Sequence, residues 1–142
     1  MTITKDQILE EARKYRSLSN DISDSWNKVL KWKHISQLEL SRRSGVSDRT
    51  INSVVCAQNN GRLECIVLMC LAANLPSEIS EHLLKLSGHV LIMSNENHVM
   101  YSYLLKHKYS ESLPEIRQFL YEIGSELYLK FPTETEIQKE TF

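Results

Sequence analysis

The stretch Ile35-Ser36-Gln37-Leu38-Glu39-Leu40-Ser41-Arg42-Arg43-Ser44-Gly45-Val46-Ser47-Asp48-Arg49-Thr50-Ile51 decides the fold. Ser36 and Glu39 have the spacing of a capping box, in which two side chains reciprocally satisfy backbone N–H groups at a helix start. Ile35 before the cap and Leu40 at the fourth helical position are placed for a hydrophobic staple. The helix runs to Ser44, and Gly45 supplies the left-handed residue that ends many helices. Ser47 then caps a second helix, with Val46 and Ile51 spaced for a second staple. Two short capped helices joined around a glycine form a helix-turn-helix, although an ordinary helical corner can use the same caps.

Upstream, residues 4–18 carry Ile8, Leu9, Ala12 and Tyr15 at helical spacing, and Ser19-Asn20-Asp21 ends that helix. Residues 22–32 place Ile22, Trp26, Val29 and Leu30 on one face, with Lys28, Lys31 and Lys33 away from it. Downstream, a polar loop at 57–61 leads into residues 63–73, which are apolar almost all round and are expected to form the buried central helix. Asn74-Leu75-Pro76 breaks it. Residues 77–87 then turn Ile79, Leu83, Leu84 and Leu86 inward, and Gly88 closes that helix.

Two further helices follow. Ser94-Asn95-Glu96 starts one that carries Val99, Met100, Tyr103 and Leu104 to about His107. Ser112 caps the other, with Pro114 in a first turn that tolerates it. Its stripe of Ile116, Phe119, Leu120, Ile123, Leu127 and Phe131 keeps helical spacing over four turns. That stripe fits core packing, a dimer interface or a partner groove. Residues 132–142 are polar and expected to be disordered. No alternating strand pattern competes. The chain reads as all-α: an N-terminal helix in 1–20, a five-helix unit in 21–88, a two-helix extension in 89–131 and a tail in 132–142.

Composition narrows the function classes. The net charge is −1, yet residues 25–63 hold seven basic residues (Lys28, Lys31, Lys33, Arg42, Arg43, Arg49, Arg62) against Glu39 and Asp48, a local +5. A positive patch on a near-neutral chain is the footprint of a nucleic-acid reader, and a merely solvated basic face is the alternative. The charged N-terminus lacks the apolar run of a signal peptide, and no stretch approaches the roughly 20 apolar residues that span a bilayer. A cytoplasmic protein is expected. Cys56, Cys65 and Cys70 lack C-x-x-C spacing and are expected as buried thiols. Five scattered histidines form no metal or catalytic motif, and no phosphate loop or nucleophile elbow occurs, so neither an enzyme nor a cofactor or metal is expected. Tyr101, Tyr103, Tyr109, Tyr121 and Tyr128 sit on apolar stripes, which favours packing over base stacking.

The 35–51 stretch resembles the helix-turn-helix of the lambda-repressor-like (Cro/CI, or Xre) family: an apolar residue, Ser-Gln, a leucine-bearing helix, then Gly-Val-Ser-x-x-Thr-Ile. The likeness continues without a gap through Leu63-Glu64 and Leu71 to Leu75. Residues 75–80, 83–88, 101–105 and 109–112 resemble a helical extension that often follows such domains and implies no defined activity.

The resemblance implies a transcriptional regulator, most often a repressor, bound as a homodimer to a palindromic site on double-stranded DNA. It implies that the first helix of the pair lies across the phosphates and the second enters the major groove. Gln37 takes the position of a phosphate contact at a helix N-terminus. Ile51 and Val54 should point into the core, leaving Asp48, Arg49, Asn52, Ser53 and Cys56 on the opposite face. Arg49 suits the O6 and N7 acceptors of guanine and Asn52 suits adenine. Lys33, Arg42, Arg43, Ser47 and Thr50 are expected as phosphate contacts. Asp48 either complements the helix dipole or accepts from a cytosine amino group. Ile116, Phe119, Leu120, Ile123 and Leu127 are the candidate dimer interface. The chain departs from the family where Glu near 55 and Gly near 57 are usual, having Val55, Ala57, Gly61 and Arg62, so the loop after the reading helix is expected to differ. The rival reading is a protein-interaction module, such as an antitoxin or regulator subunit with a protein partner.

Overall fold

The structure, a computed structural model, describes residues 3–139. Its described residues are all-helical, without strands: α1 (Lys5–Ser17), α2 (Ile22–Lys33), α3 (Gln37–Ser44), α4 (Asp48–Val55), α5 (Leu63–Ala72), α6 (Ser77–Leu86), α7 (Glu96–His107), α8 (Leu113–Glu122), a 3₁₀ turn at Glu126–Lys130, and α9 (Glu134–Lys139). The caps explain most of these starts. Asp21 accepts from Ser23 and Asp24 N–H, Ser47 from Thr50, and Asn95 from Asn97 and His98. Ser112 and Glu115 form a full capping box with Pro114 in the first turn. At Ser36 only half of the expected box forms. Ser36 Oγ accepts from Glu39 N–H at 3.0 Å, whereas the Glu39 carboxylate turns to Arg43 at 3.1 Å and Arg42 at 3.7 Å. Opposite charge one turn away outcompetes the backbone donor. Gly45, at φ 75°, ends α3 as its position in the sequence implies.

One buried cluster runs from Trp26 to Phe131. Its centre is α5, with Ile66, Val67, Met69, Cys70 and Leu71 inaccessible, packed between α3, α6, α7 and α8. Both staples are buried: Ile35 with Leu40, and Val46 with Ile51. By contrast α1 buries none of its residues. Ile8, Leu9 and Tyr15 stay about half exposed, and the helix meets α6 through an edge contact of Tyr15 on His82.

Three expectations are corrected. The stripe of Ile116 to Phe131 is not one helix: α8 ends at Glu122, Gly124 adopts φ 78°, and the 3₁₀ turn folds back onto α8. Ile116, Leu120, Leu127 and Phe131 still face inward, because the fold-back returns the last two to the core, whereas Ile123 is half exposed. The stretch 132–139 is ordered into the fold. Pro132 is buried, Thr133 accepts from Glu136 N–H at 3.2 Å, and α9 packs on α3; the rest of the expected disordered tail, 140–142, lies outside the described residues. Finally, only Cys70 is a buried thiol. Cys65 is half-buried and Cys56 is exposed, because it follows the outward face of α4.

Candidate nucleic-acid interface

The helix α4 separates its residues sharply. Ile51, Val54 and Val55 are at most 1% exposed, and they pin the helix to the core. Asp48, Arg49 and Asn52 are exposed on the opposite side, with Ser53 and Thr50 half-buried at its margins. Positions 48, 49 and 52 therefore stand within one turn of a single outward face. Arg49 makes no ion pair among the described residues, so its guanidinium fork is available to a planar acceptor pair. The Cys56 thiol donates to Asn52 Oδ1 at 3.5 Å.

The expected phosphate contacts do not form one surface of equals. Gln37 is the first residue of α3, half-buried, beside N–H groups that favour an anion. Ser47 Oγ donates to Thr50 Oγ1 at 2.8 Å and accepts its N–H, so these hydroxyls are engaged in the cap. Lys33 closes α2, where partial burial first, and Lys14 second, push its pKa below the usual lysine value. Arg42 and Arg43 share Glu39, and Arg43 also lines a cleft toward the carboxyl end of the chain. Lys28 pairs with Asp24 at 3.2 Å.

The proposed interface face of the extension is not a free surface. Ile116, Leu120 and Leu127 are at most 4% exposed within the chain's own core, so they belong to packing and not to a dimer contact. Phe119 is half-buried against Tyr103 and under Lys108, and only Ile123 is exposed.

The loop after α4 is closed by its own hydrogen bonds. Ala57 adopts φ 59°, the left-handed conformation for which a glycine would be suited. Ala57 N–H donates to the Val54 carbonyl at 3.0 Å and Gln58 N–H to that of Ser53 at 2.8 Å, which closes the helix end. Asn59 Oδ1 accepts from Gly61 N–H at 2.8 Å, and His89 Nε2 lies 3.0 Å from the Gly61 carbonyl. The loop is thereby held to the start of the extension.

One feature had no signal in the sequence. A cleft of about 540 Å³ opens between α3, the α5–α6 corner, the start of α8 and α9, lined by Arg43, Asn74, Leu113, Glu115, Glu134 and Ile137 among others. Its Glu134 and Ile137 come from the folded-back end of the chain. No group of three or more metal-ligating side chains occurs among the described residues, and no helix there is long and apolar enough to cross a membrane. No protein-family model, curated protein or solved structure matches the chain.

Proposed function

We propose that the chain is a sequence-specific DNA-binding regulator of the lambda-repressor-like type, and that α3 and α4 are its helix-turn-helix. The observation that carries this reading is the face of α4: its apolar side is locked in the core while Asp48, Arg49 and Asn52 stand outward, with Arg49 unpaired. In this reading α4 enters the major groove. Arg49 takes the O6 and N7 of a guanine and Asn52 pairs with an adenine, each contact discriminating by about 1–3 kcal/mol. Gln37 and the N-terminal N–H groups of α3 hold a phosphate and so fix the register. Asp48, in the first turn of α4, complements the helix dipole. Two copies on a palindromic operator would repress by occupying a promoter, without a cofactor. The dimer contact must use a surface other than the buried stripe of α8.

Selection of random duplexes against the purified chain tests the proposal. An enriched, two-fold related motif is expected. Binding that varies with salt alone, with no motif, overturns sequence-specific reading. A protein-interaction module is the second reading, favoured by apolar side chains left in solvent on the extension: Val90, Met93, Tyr121 and Leu129 are each more than half exposed.

A further inference from the structure

The carboxyl end of the chain is fastened to the helix pair on which the proposed function rests. Phe131 is 2% exposed, and the Arg117 guanidinium donates to the Tyr128 and Phe131 carbonyls at 2.7 and 2.5 Å. Lys130 reaches Glu64 on α5 at 3.6 Å. Pro132 then lies against the joint between α3 and α4, so close that a Cβ on Gly45 would sit 3.3 Å from Pro132 Cβ. Beyond this anchor Thr133 starts α9, which packs along α3.

The contact of α9 differs from that of the anchor. α9 is only six residues long, has Glu134 and Glu136 in its first turn, and forms part of the cleft wall. Arg43 lines that cleft together with Glu134 and Ile137 of α9, while Glu111 and Glu115 on its far side are engaged by Lys108 and Ser112. Glu39 holds the Arg43 guanidinium at 3.1 Å from within α3. Arg43 thus shares its cleft with Glu134, and the six-residue α9 supplies one side of that cleft. Such a helix can leave while Phe131 and Pro132 stay in place.

We propose that α9 is an autoinhibitory strap. Docked, it sets Glu134 across the cleft from Arg43; released, it takes Glu134 and Glu136 away from beside α3 and opens the approach of a DNA phosphate to Arg43. The proposal rests on the DNA-binding reading, and its test separates the two.

A chain ended after Thr133 removes α9 and keeps Phe131 and Pro132. Its affinity for a random-sequence duplex is measured over a salt series beside the full chain, each with and without Arg43→Ala. The shortened chain should bind about 3- to 10-fold more tightly, with a log–log salt slope steeper by about 0.9, one additional phosphate contact. Arg43→Ala should abolish that gain while changing the full chain less than about twofold, well short of the loss expected for a phosphate contact already made. Equal affinity and slope for the full and shortened chains would overturn the strap, as would an equal loss from Arg43→Ala in both. If circular dichroism shows the shortened chain misfolded, Glu134→Gln and Ile137→Ser in the full chain carry the same test, with the same expected gain. Failure of every form to bind any duplex would remove the DNA reading itself, and the strap with it.

Discussion

Asn74 Nδ2 donates to the Tyr109 carbonyl at 2.8 Å, joining the end of α5 to the turn before α8 across 35 residues of sequence. Asn74 also adopts φ 55°, a left-handed conformation that asparagine tolerates better than most residues. Asn74→Ala loses the hydrogen bond and strains the backbone, at about 2 kcal/mol. Asn74→Gly loses only the bond and should cost about half as much. Urea denaturation of the two variants measures the difference, and equal costs would contradict the backbone contribution.

Ala57 offers the opposite sign. Its φ of 59° costs a Cβ-bearing residue about 1 kcal/mol, so Ala57→Gly should stabilise the chain by about 0.5–1 kcal/mol despite the added freedom of the unfolded state. The thermal midpoint should rise by a few degrees. An unchanged or lower midpoint would show that the loop is not strained there.

For the reading helix, Arg49→Ala should weaken binding to a selected operator by about 1–3 kcal/mol and relax preference at one base position. Gln37→Ala should weaken all duplexes alike, because a phosphate contact carries no base information. Competition titrations with single-base operator variants distinguish the two patterns.

How much of this was legible in the sequence follows from how local each signal is. The starts of α3 and α4 rest on caps, staples and a glycine that act within four or five residues, and these appear where the spacing placed them. The inward set on α4, Ile51 and Val54, was equally readable from helical period. The capping box at Ser36 failed in half, because Arg43 competes for Glu39 in a way that spacing alone does not rank. The break at Gly124 was hidden by a coincidence of period: Leu127 and Phe131 continue the helical spacing, yet reach the core by turning back. The order of 132–139 comes from the burial of Pro132 and the packing of α9 on α3, contacts between segments far apart in sequence. The cleft beside Arg43 joins segments far apart in sequence, which no local pattern encodes.

The thiols should differ widely in reactivity. Burial pushes the Cys70 pKa up to about 12 and raises that of Cys65, first by desolvation and then through Glu64. Since the thiolate is the nucleophile, a chromogenic thiol reagent near neutral pH should label exposed Cys56 first and Cys70 only on unfolding. Mass mapping of the labelled peptides reads the order. Rapid labelling of Cys70 in the folded chain would contradict its burial.

At acid pH, Glu115 is the group to follow. Hydrogen bonds from the Ser112 backbone N–H and hydroxyl hold its pKa below the ordinary 4.5. A lowered folded-state pKa gives stability that is present above the unfolded value and is lost as pH falls through the folded one. Stability should therefore decline below about pH 4.5, and Glu115→Gln should flatten that decline while leaving a small cost at neutral pH. Denaturation midpoints taken across the acid range give the comparison.

The single buried cluster from Trp26 to Phe131 has a consequence for cooperativity. The helix pair and the extension share α5, so cutting the chain near Gly88 would uncover α5 residues that α7 and α8 now bury. Neither fragment would retain a complete interior. Melting should proceed as one transition, and a protease acting on residues 89–95 would destroy α4 together with the extension instead of releasing it intact.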